Sequence, residues 1–180
     1  WMIQPDKYEL FYQGLLNKKV KLINTPEEYK TCHYLPSSYE FIKESTPATN
    51  WTEIKGDVDF EKVFELTASF KDDPIIVKDY VKSQKHNWTE ACFIPKASDK
   101  DAVKKIVSKF IDLQGDGLNV GLVFRKFEEL EFLTNHSKSK MPLTKEFRLF
   151  FLNRQIIQVF NYWDEGDYGD TKPDLRKFEV

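Results

Sequence analysis

The sequence predicts an α+β protein with largely antiparallel sheets, and three patterns support this fold class. First, apolar residues such as Val103, Val107 and Phe110 recur at helical spacing and predict a long amphipathic helix near residues 99–113. Second, short apolar runs typical of strands lie on both sides of that helix. Third, two more such runs surround Asn153-Arg154, as expected for a hairpin. The predicted order from residue 59 is therefore helix, β, β, helix, β, β, β.

The first third of the chain predicts two helices and one strand. Tyr8, Phe11 and Leu15 lie on one face of a predicted helix over residues 6–17. Val20–Ile23 has the composition of a short strand. Thr25-Pro-Glu-Glu28 has the N-cap threonine, N1 proline and N3 glutamate of a capping box, so a second helix begins there and Pro36 limits it. Helix, strand and helix in this order fit the end of an α/β lobe.

The remaining elements follow from turn residues and apolar runs. Residues 36–58 carry Pro36, Pro47 and Gly56 and predict a connecting region. A helix is expected over 59–70. Ser98 is the expected cap of the long helix, and Gly115 its end. The predicted strands are 74–78, 89–94, 120–127, 146–152 and 155–162, and the predicted loops are 79–88, 134–144 and the acidic tail after Trp163.

Length and charge limit the classes of function. A chain of 180 residues suffices for one domain or two small lobes. The net charge of -2 does not favour a nucleic-acid or membrane surface, so any basic site must be local. No apolar run is long enough to span a bilayer, and the first residues lack the features of a signal peptide. We therefore expect a cytoplasmic protein without a membrane partner, and the charge disfavours nucleic acid as a ligand.

Five cationic residues lie on or beside apolar strands and are candidates for binding a polyphosphate. Lys78 and Arg125 each end an apolar run, Arg148 interrupts one, and Lys82 and Lys85 lie in the loop after Lys78. Flexible lysine ammonium groups and forked arginine guanidinium groups both suit phosphate oxygens. A solvated basic turn is the alternative for the lysines.

Acidic residues supply both an alternative for the arginines and a second candidate site. Ion pairs of Arg125 and Arg148 with Glu128, Glu129 or Glu146 would satisfy the guanidinium groups internally. Glu128 and Glu129 also suit hydrogen bonds from a ribose, or form a solvated turn. The carboxylates of the tail suit Mg²⁺ or are simply solvated; they are Asp164, Glu165, Asp167 and Asp170.

Several motifs taken together resemble the ATP-grasp superfamily. The segment Lys78-Asp-Tyr-Val-Lys-Ser83, followed by Lys85-His-Asn-Trp88 and Glu90-Ala-Cys-Phe-Ile94, is most similar to the clade named for one arginine and two lysines, family 3. Similar motifs span nearly the whole chain; they include Trp1-Met2, Leu22–Tyr29, Cys32–Pro36, Thr46-Pro47, Leu122–Arg125, Met141–Thr144, Glu146–Phe150 and Tyr162-Trp163.

The resemblance implies an ATP-binding domain, with ATP held between two α+β lobes. It implies an ATP-dependent carboxylate–amine ligase that acts through an acylphosphate, on an unknown carboxylate or amine, with Mg²⁺ on the phosphates. The roles it implies are catalytic for Arg125 and Arg148, and nucleotide binding for Lys78, Lys82, Lys85, Phe124, Glu128, Glu129 and Glu146.

The resemblance also divides the chain. It implies the end of a preceding α/β lobe in residues 1–35, a connector in 36–58, an N-terminal ATP-grasp lobe in 59–127 and the start of a C-terminal lobe in 128–180. In the family, metal-binding strands follow, and nothing after Trp163 resembles them, so the metal ligands are not identifiable and we expect a fragment truncated at both ends. The alternative function is a non-catalytic module that uses a basic cleft for a protein, peptide or nucleic-acid partner.

Overall fold

A computed structural model describes residues 3–178 of the chain, which form two compact units. The first unit ends at Phe127, and the second begins at Glu128. The described part of the first unit contains six α-helices and four strands: α1 (Pro5–Leu16), α2 (Pro26–His33), α3 (Leu35–Ile42), β1 (Thr49–Glu53), α4 (Phe60–Ala68), β2 (Ile75–Asp79), α5 (Trp88–Ala91), β3 (Phe93–Ile94), α6 (Lys100–Gln114) and β4 (Gly121–Lys126).

The four strands of the first unit form one antiparallel sheet in the order β1-β4-β2-β3. Strand β4 is central: Val77 of β2 and Asn50 of β1 both lie opposite its Phe124. Gly121 at the start of β4 permits a close approach, because a Cβ atom there would overlap the backbone of Thr52. The α+β fold with largely antiparallel sheets is confirmed.

One face of this sheet carries the hydrophobic core. Strand side chains alternate between faces, so Val77, Leu122 and Phe124 share a face, and all three are fully buried with Val63 of α4 and Phe110 of α6. Both predicted helices, over 59–70 and near 99–113, are confirmed.

The caps of these two helices are aspartates. Helix α4 begins after Asp59, whose side chain accepts a hydrogen bond from the backbone N–H of Lys62. In α6 the side chain of Asp99, not the predicted Ser98, accepts from the backbone N–H of Ala102. Ser98 instead donates to Asp72. The predicted end of α6 is correct, because Gly115 follows the helix with a φ of 48°.

The opposite face of the sheet is approached by the segment that holds α2 and α3. The capping box at Thr25 and Glu28 is confirmed, but Pro36 lies in the first turn of α3 rather than in a loop. Tyr39 of α3 contacts Trp51 of β1 edge to face, with ring centroids 5.4 Å apart.

Two element predictions in this unit are wrong, and a third gives too little regular structure. Val20–Ile23 forms no strand, so the helix–strand–helix order expected of an α/β lobe is absent in the described residues. The predicted connector 36–58 contains α3 and β1. The predicted strand 89–94 is reduced to β3, because the helical turn α5 precedes it. The division of the chain at residues 35 and 58 stays a prediction.

The second unit consists of two hairpins and a tail. Strands β5 (Phe132–Asn135) and β6 (Pro142–Thr144) pair with each other. The end of β5 and all of β6 lie in the segment 134–144, so the prediction of a polar loop there is wrong in part. The second hairpin, β7 (Phe147–Leu152) with β8 (Gln155–Asn161), is confirmed. Its two turn residues have φ values of 48° and 65°, as a tight two-residue hairpin requires. Within residues 3–178 the structure contains no helix suited to cross a membrane.

Candidate functional site

Two cations share the face of the first unit's sheet that lies opposite the core. Residues Ile76 and Arg125 are paired across β2 and β4, and Lys78 follows Ile76 by two positions. Because side chains two apart lie on the same face of a strand, Lys78 and Arg125 are diagonal neighbours on adjacent strands. The structure thus brings together two of the five cations that the sequence singles out.

The ammonium group of Lys78 is largely withdrawn from water. Its Nζ atom donates one hydrogen bond, 3.1 Å long, to the carbonyl oxygen of Val81. Burial, reinforced by the nearby charge of Arg125, lowers the pKa of Lys78 from 10.5 to about 8. A nearby anion would stabilise the charged form of Lys78, because its negative charge opposes the effects of burial and of the Arg125 charge.

The guanidinium group of Arg125 is also half-buried and has no carboxylate partner among the described residues of the first unit. One terminal nitrogen donates to the hydroxyl of Thr46 at 2.7 Å, and the buried Nε atom has no hydrogen-bond partner in the described structure. Burial lowers the pKa of Arg125. Glu128, Glu129 and Glu146 belong to the second unit, so the alternative ion pairs of Arg125 with them stay a prediction.

Both cations line a pocket of about 480 Å³ whose other wall comes from α2 and α3. That volume lies within the usual range of about 300–1,000 Å³ for ligand pockets. His33, Cys32 and Ser38 line the helical wall, and none of the described lining residues is an aspartate or glutamate. The pocket is therefore suited to an anion.

Sequence reasoning does not place His33 in a site, because it lies 45 residues before Lys78 and belongs to another element. Its ring stacks on Tyr29, with centroids 5.1 Å apart. Burial, reinforced by the charges of Lys82 and Lys78, lowers the pKa of His33, and the charge of Asp79 partly opposes this. The motif Cys32-His-Tyr-Leu-Pro36 is the only sequence signal for it.

The remaining predicted residues of the first unit lie in different surroundings. Lys82 is exposed and Lys85 is half-buried in the loop after β2, where Lys85–Asn87 forms one turn of 3₁₀ helix. The side chain of Phe124 is fully buried in the core, on the sheet face opposite Lys78. That side chain is therefore not accessible to a ligand in this structure.

The second unit holds the predicted residues Glu128, Glu129, Glu146 and Arg148. Glu128 and Glu129 are exposed. The carboxylate of Glu146 accepts hydrogen bonds from the hydroxyl of Thr144 and the indole N–H of Trp163.

Arg148 is exposed rather than buried in an apolar strand. Its guanidinium lies 4.6 Å from the ring centroid of Tyr162, which is the distance of a cation–π contact. In these surroundings Arg148 does not require an internal carboxylate, and its role in binding phosphate or substrate stays a prediction.

The acidic tail does not form a metal-binding cluster in the described residues. Glu165 accepts hydrogen bonds from the backbone N–H and the hydroxyl of Ser137. Across residues 3–178 no three histidine, cysteine, aspartate or glutamate side chains lie close enough together to hold a metal ion.

Comparison with known protein families shows which family the chain belongs to. A family model matches residues 68–180, which is more than half of the chain, and it describes an ATP-grasp domain, family 3 of the clade named for one arginine and two lysines. The chain belongs to this ATP-grasp family. Among curated proteins and solved structures, none matches the chain.

The matched segment of the ATP-grasp domain contains β2, α6, β4 and both hairpins. Lys78 and Arg125 lie inside it, whereas the helical wall of their pocket and Thr46 lie before it. Family membership supports nucleotide binding, and specifically ATP. The pocket thus combines strands that the family model covers with a wall that it does not cover.

Proposed function

We propose that the chain binds ATP and that the pocket of Lys78 and Arg125 receives phosphate oxygens of the nucleotide. The observation that carries this proposal is the guanidinium of Arg125: it is half-buried, its Nε atom has no partner in the described structure, and no carboxylate among the described residues of the first unit pairs with it. A buried cation without a counter-ion is unfavourable. A phosphate group would supply both the missing charge and the missing acceptor.

The remaining site assignments come from the resemblance to the family and are part of the proposal. Arg125 and Arg148 are proposed to stabilise charge during phosphoryl transfer, and six other residues to bind the nucleotide: Lys78, Lys82, Lys85, Glu128, Glu129 and Glu146. Phe124 is left out of the proposal, because its side chain is buried in the core. In this scheme catalysis rests on positioning and on charge stabilisation.

We further propose that the reaction is that of a carboxylate–amine ligase. A substrate carboxylate attacks the γ-phosphorus of ATP and displaces ADP, which gives an acylphosphate. An amine or similar nucleophile then attacks the acyl carbon and releases inorganic phosphate. This step rests on what most ATP-grasp enzymes do, and the identity of the carboxylate and of the amine is open.

The expected Mg²⁺ has no matching ligand set in the described residues. The acidic tail is dispersed, and Glu165 is engaged with Ser137. We therefore assign no residue to a metal and derive no step through one.

The competing hypothesis is a non-catalytic module with a basic cleft for a macromolecular partner. That hypothesis would be favoured by a cleft filled with internal arginine–glutamate pairs. Within the described residues of the first unit Arg125 forms no such pair, so this unit offers no specific support for the alternative.

The test is nucleotide binding by the full chain, measured by thermal shift and by calorimetry. We expect ATP to raise the melting temperature, with a larger effect when Mg²⁺ is present than with EDTA, and we expect GTP to act less. Inorganic tripolyphosphate separates phosphate binding from recognition of adenine. Absence of any shift with ATP or tripolyphosphate would overturn the proposal for this chain.

Variants localise the site. Lys78→Met and Arg125→Met each remove one charge and keep an apolar stem, and we expect each to weaken ATP affinity by about tenfold or more, which corresponds to the loss of one charge-assisted hydrogen bond. Lys109→Met is the matched control, because Lys109 is exposed on α6. If Lys109→Met weakens ATP binding as much as Lys78→Met does, the effect comes from overall charge and the pocket is not the site.

A further inference from the structure

The last residue of β2, Asp79, is a fully buried carboxylate that the nucleotide scheme above does not use. Its Oδ1 atom accepts hydrogen bonds from the backbone N–H groups of Val81, at 2.6 Å, and of Lys82. In return the backbone N–H of Asp79 donates to the carbonyl of Lys82. One carboxylate oxygen therefore closes the turn that carries the first loop lysine.

The other oxygen of Asp79 ties the same turn to the segment before β4. Oδ2 accepts from the side-chain amide of Asn119 at 2.7 Å, from its backbone N–H at 3.1 Å and from the Gln114 amide at 3.4 Å. All of these hydrogen-bond donors to the carboxylate are neutral. Asp79 therefore uses its charge to hold backbone and amide donors in place and not to form an ion pair.

The turn fixed by Asp79 contacts Lys78 and carries Lys82. The carbonyl oxygen of Val81 accepts the hydrogen bond from Lys78 Nζ, and Lys82 is the next residue. Tyr80, between Asp79 and Val81, is held on two sides: its carbonyl accepts from the N–H of Leu35, and its N–H donates to the carbonyl of Asn119. The orientation of Val81 and Lys82 thus depends on the buried carboxylate.

We propose that Asp79 is a positioning residue for the phosphate site: it holds the turn Tyr80–Lys82 so that Lys78 and Lys82 are directed for the anion. This inference rests on the proposed nucleotide function. It differs from a purely structural role because Asp79 would affect ligand affinity through the turn, beyond any effect on overall stability.

The informative variant is Asp79→Asn, which keeps the shape of the side chain. An amide offers only one accepting oxygen, so it cannot accept from the turn and from Asn119 at the same time. The stability control is Val63→Ala, which removes two methyl groups from the core side of the sheet without touching the turn. Gln114→Ala is a second control, because it removes only the longest of the hydrogen bonds.

The first measurement is amide hydrogen exchange without nucleotide. The two variants are compared at urea concentrations that give them the same unfolding free energy. Under these conditions we expect the backbone amides of Val81 and Lys82 to exchange at least about tenfold faster in Asp79→Asn than in Val63→Ala. Equal protection of these amides in the two variants would overturn the proposal. This arm does not depend on ATP binding and so is separable from the proposed function.

The second measurement is ATP affinity. We expect Asp79→Asn to weaken ATP binding by about tenfold and Val63→Ala to leave it unchanged. We also expect Lys82→Met to weaken ATP binding less in the Asp79→Asn background than in the wild type, because the two residues act through the same turn. Unchanged affinity in Asp79→Asn contradicts positioning. If the wild type binds no nucleotide, the proposed function fails, and the exchange arm still decides whether Asp79 holds the turn.

If Asp79→Asn does not fold, Asn119→Ala replaces it. This variant keeps the carboxylate and removes its shortest amide donor on the β4 side. We expect an intermediate loss of protection at Val81 and Lys82, and an unchanged exchange pattern there would overturn the inference.

Discussion

Replacing Lys78 with methionine is expected to stabilise the protein at neutral pH. In the free protein, burial and the charge of Arg125 disfavour the ammonium form and hold the pKa of Lys78 at about 8. A fall from 10.5 to about 8, at about 1.36 kcal/mol for each pH unit, costs about 3 kcal/mol of unfolding free energy when the group is charged. Losing the hydrogen bond to Val81 offsets about 1 kcal/mol. The net expectation for Lys78→Met is a gain of about 2 kcal/mol at about pH 7.

The pH dependence of this gain has a definite sign. Between about pH 8 and 10.5 the unfolded chain binds a proton at Lys78 that the folded protein has released, so raising the pH through this window stabilises the wild type. Below this window the cost of the charged lysine is fully present. The advantage of Lys78→Met should therefore be constant below about pH 8, and it should shrink as the pH rises towards 10.5.

Urea unfolding of wild type, Lys78→Met and Lys109→Met at about pH 6.5, 8 and 10 measures both quantities. Only the difference between variant and wild type is interpreted, because tyrosines and other lysines also titrate at the alkaline end. Lys109→Met should differ little from the wild type at any pH. Two results would refute this reasoning. One is a lower unfolding free energy of Lys78→Met than of the wild type at neutral pH, which would mean that the ammonium group stabilises the fold. The other is a difference in unfolding free energy that does not shrink at about pH 10.

Two further substitutions test the fold of each unit. Val107→Asp places a carboxylate at a fully buried position of α6. It should abolish cooperative folding of the first unit, which a thermal melt would show as the loss of its transition. An unchanged melting temperature would contradict the packing described for this helix. Arg154 has a φ of 65° in the β7–β8 turn, a conformation that is strained for a residue other than glycine. Arg154→Gly removes this strain and should stabilise the second unit by about 1 kcal/mol, whereas the control Arg154→Ala should gain nothing. Equal stability of the two variants would show that the turn is not strained.

The elements that the sequence predicts well are those with strong local signals. Helix α6 has a regular apolar stripe and a glycine end, and the β7–β8 hairpin has two apolar runs around a short polar turn. Strand β1 escapes prediction because Thr49–Glu53 is mostly polar, lies at the sheet edge and is surrounded by turn-forming residues. The conformation of β1 is fixed by pairing with β4, which lies far along the chain. The residues around β1 therefore do not indicate its partner.

The converse error occurs at Val20–Ile23. Its composition is typical of a strand, yet no other described strand pairs with it, and Val20 and Ile23 are exposed. Propensity for extended structure reflects fit to a half-buried pleated surface more than a preference of the backbone itself. Without a neighbouring strand the prediction has no physical basis beyond composition.

The site is predictable only in part for the same reason. Lys78 and Arg125 stand out in the sequence because a charge at the end of an apolar run is unusual. Their surroundings depend on Thr46 and His33, which come from elements far away in the sequence. Asp79 does not stand out, because an aspartate at the start of a loop normally indicates solvent exposure, whereas here it is fully buried.

The two charged residues of β2, Lys78 and Asp79, do not form an ion pair with each other. Asp79 directly follows Lys78, and a structural design would pair the two, but alternation along the strand sends their side chains to opposite faces of the sheet. The carboxylate is engaged by neutral donors of the turn and of Asn119. Lys78 is left beside Arg125, a like charge that lowers its pKa further. The fold thus places the Asp79 carboxylate on the sheet face opposite the two desolvated cations, where its charge opposes the lowering of the Lys78 pKa only in part. An external anion on the face of the cations would relieve this unfavourable arrangement.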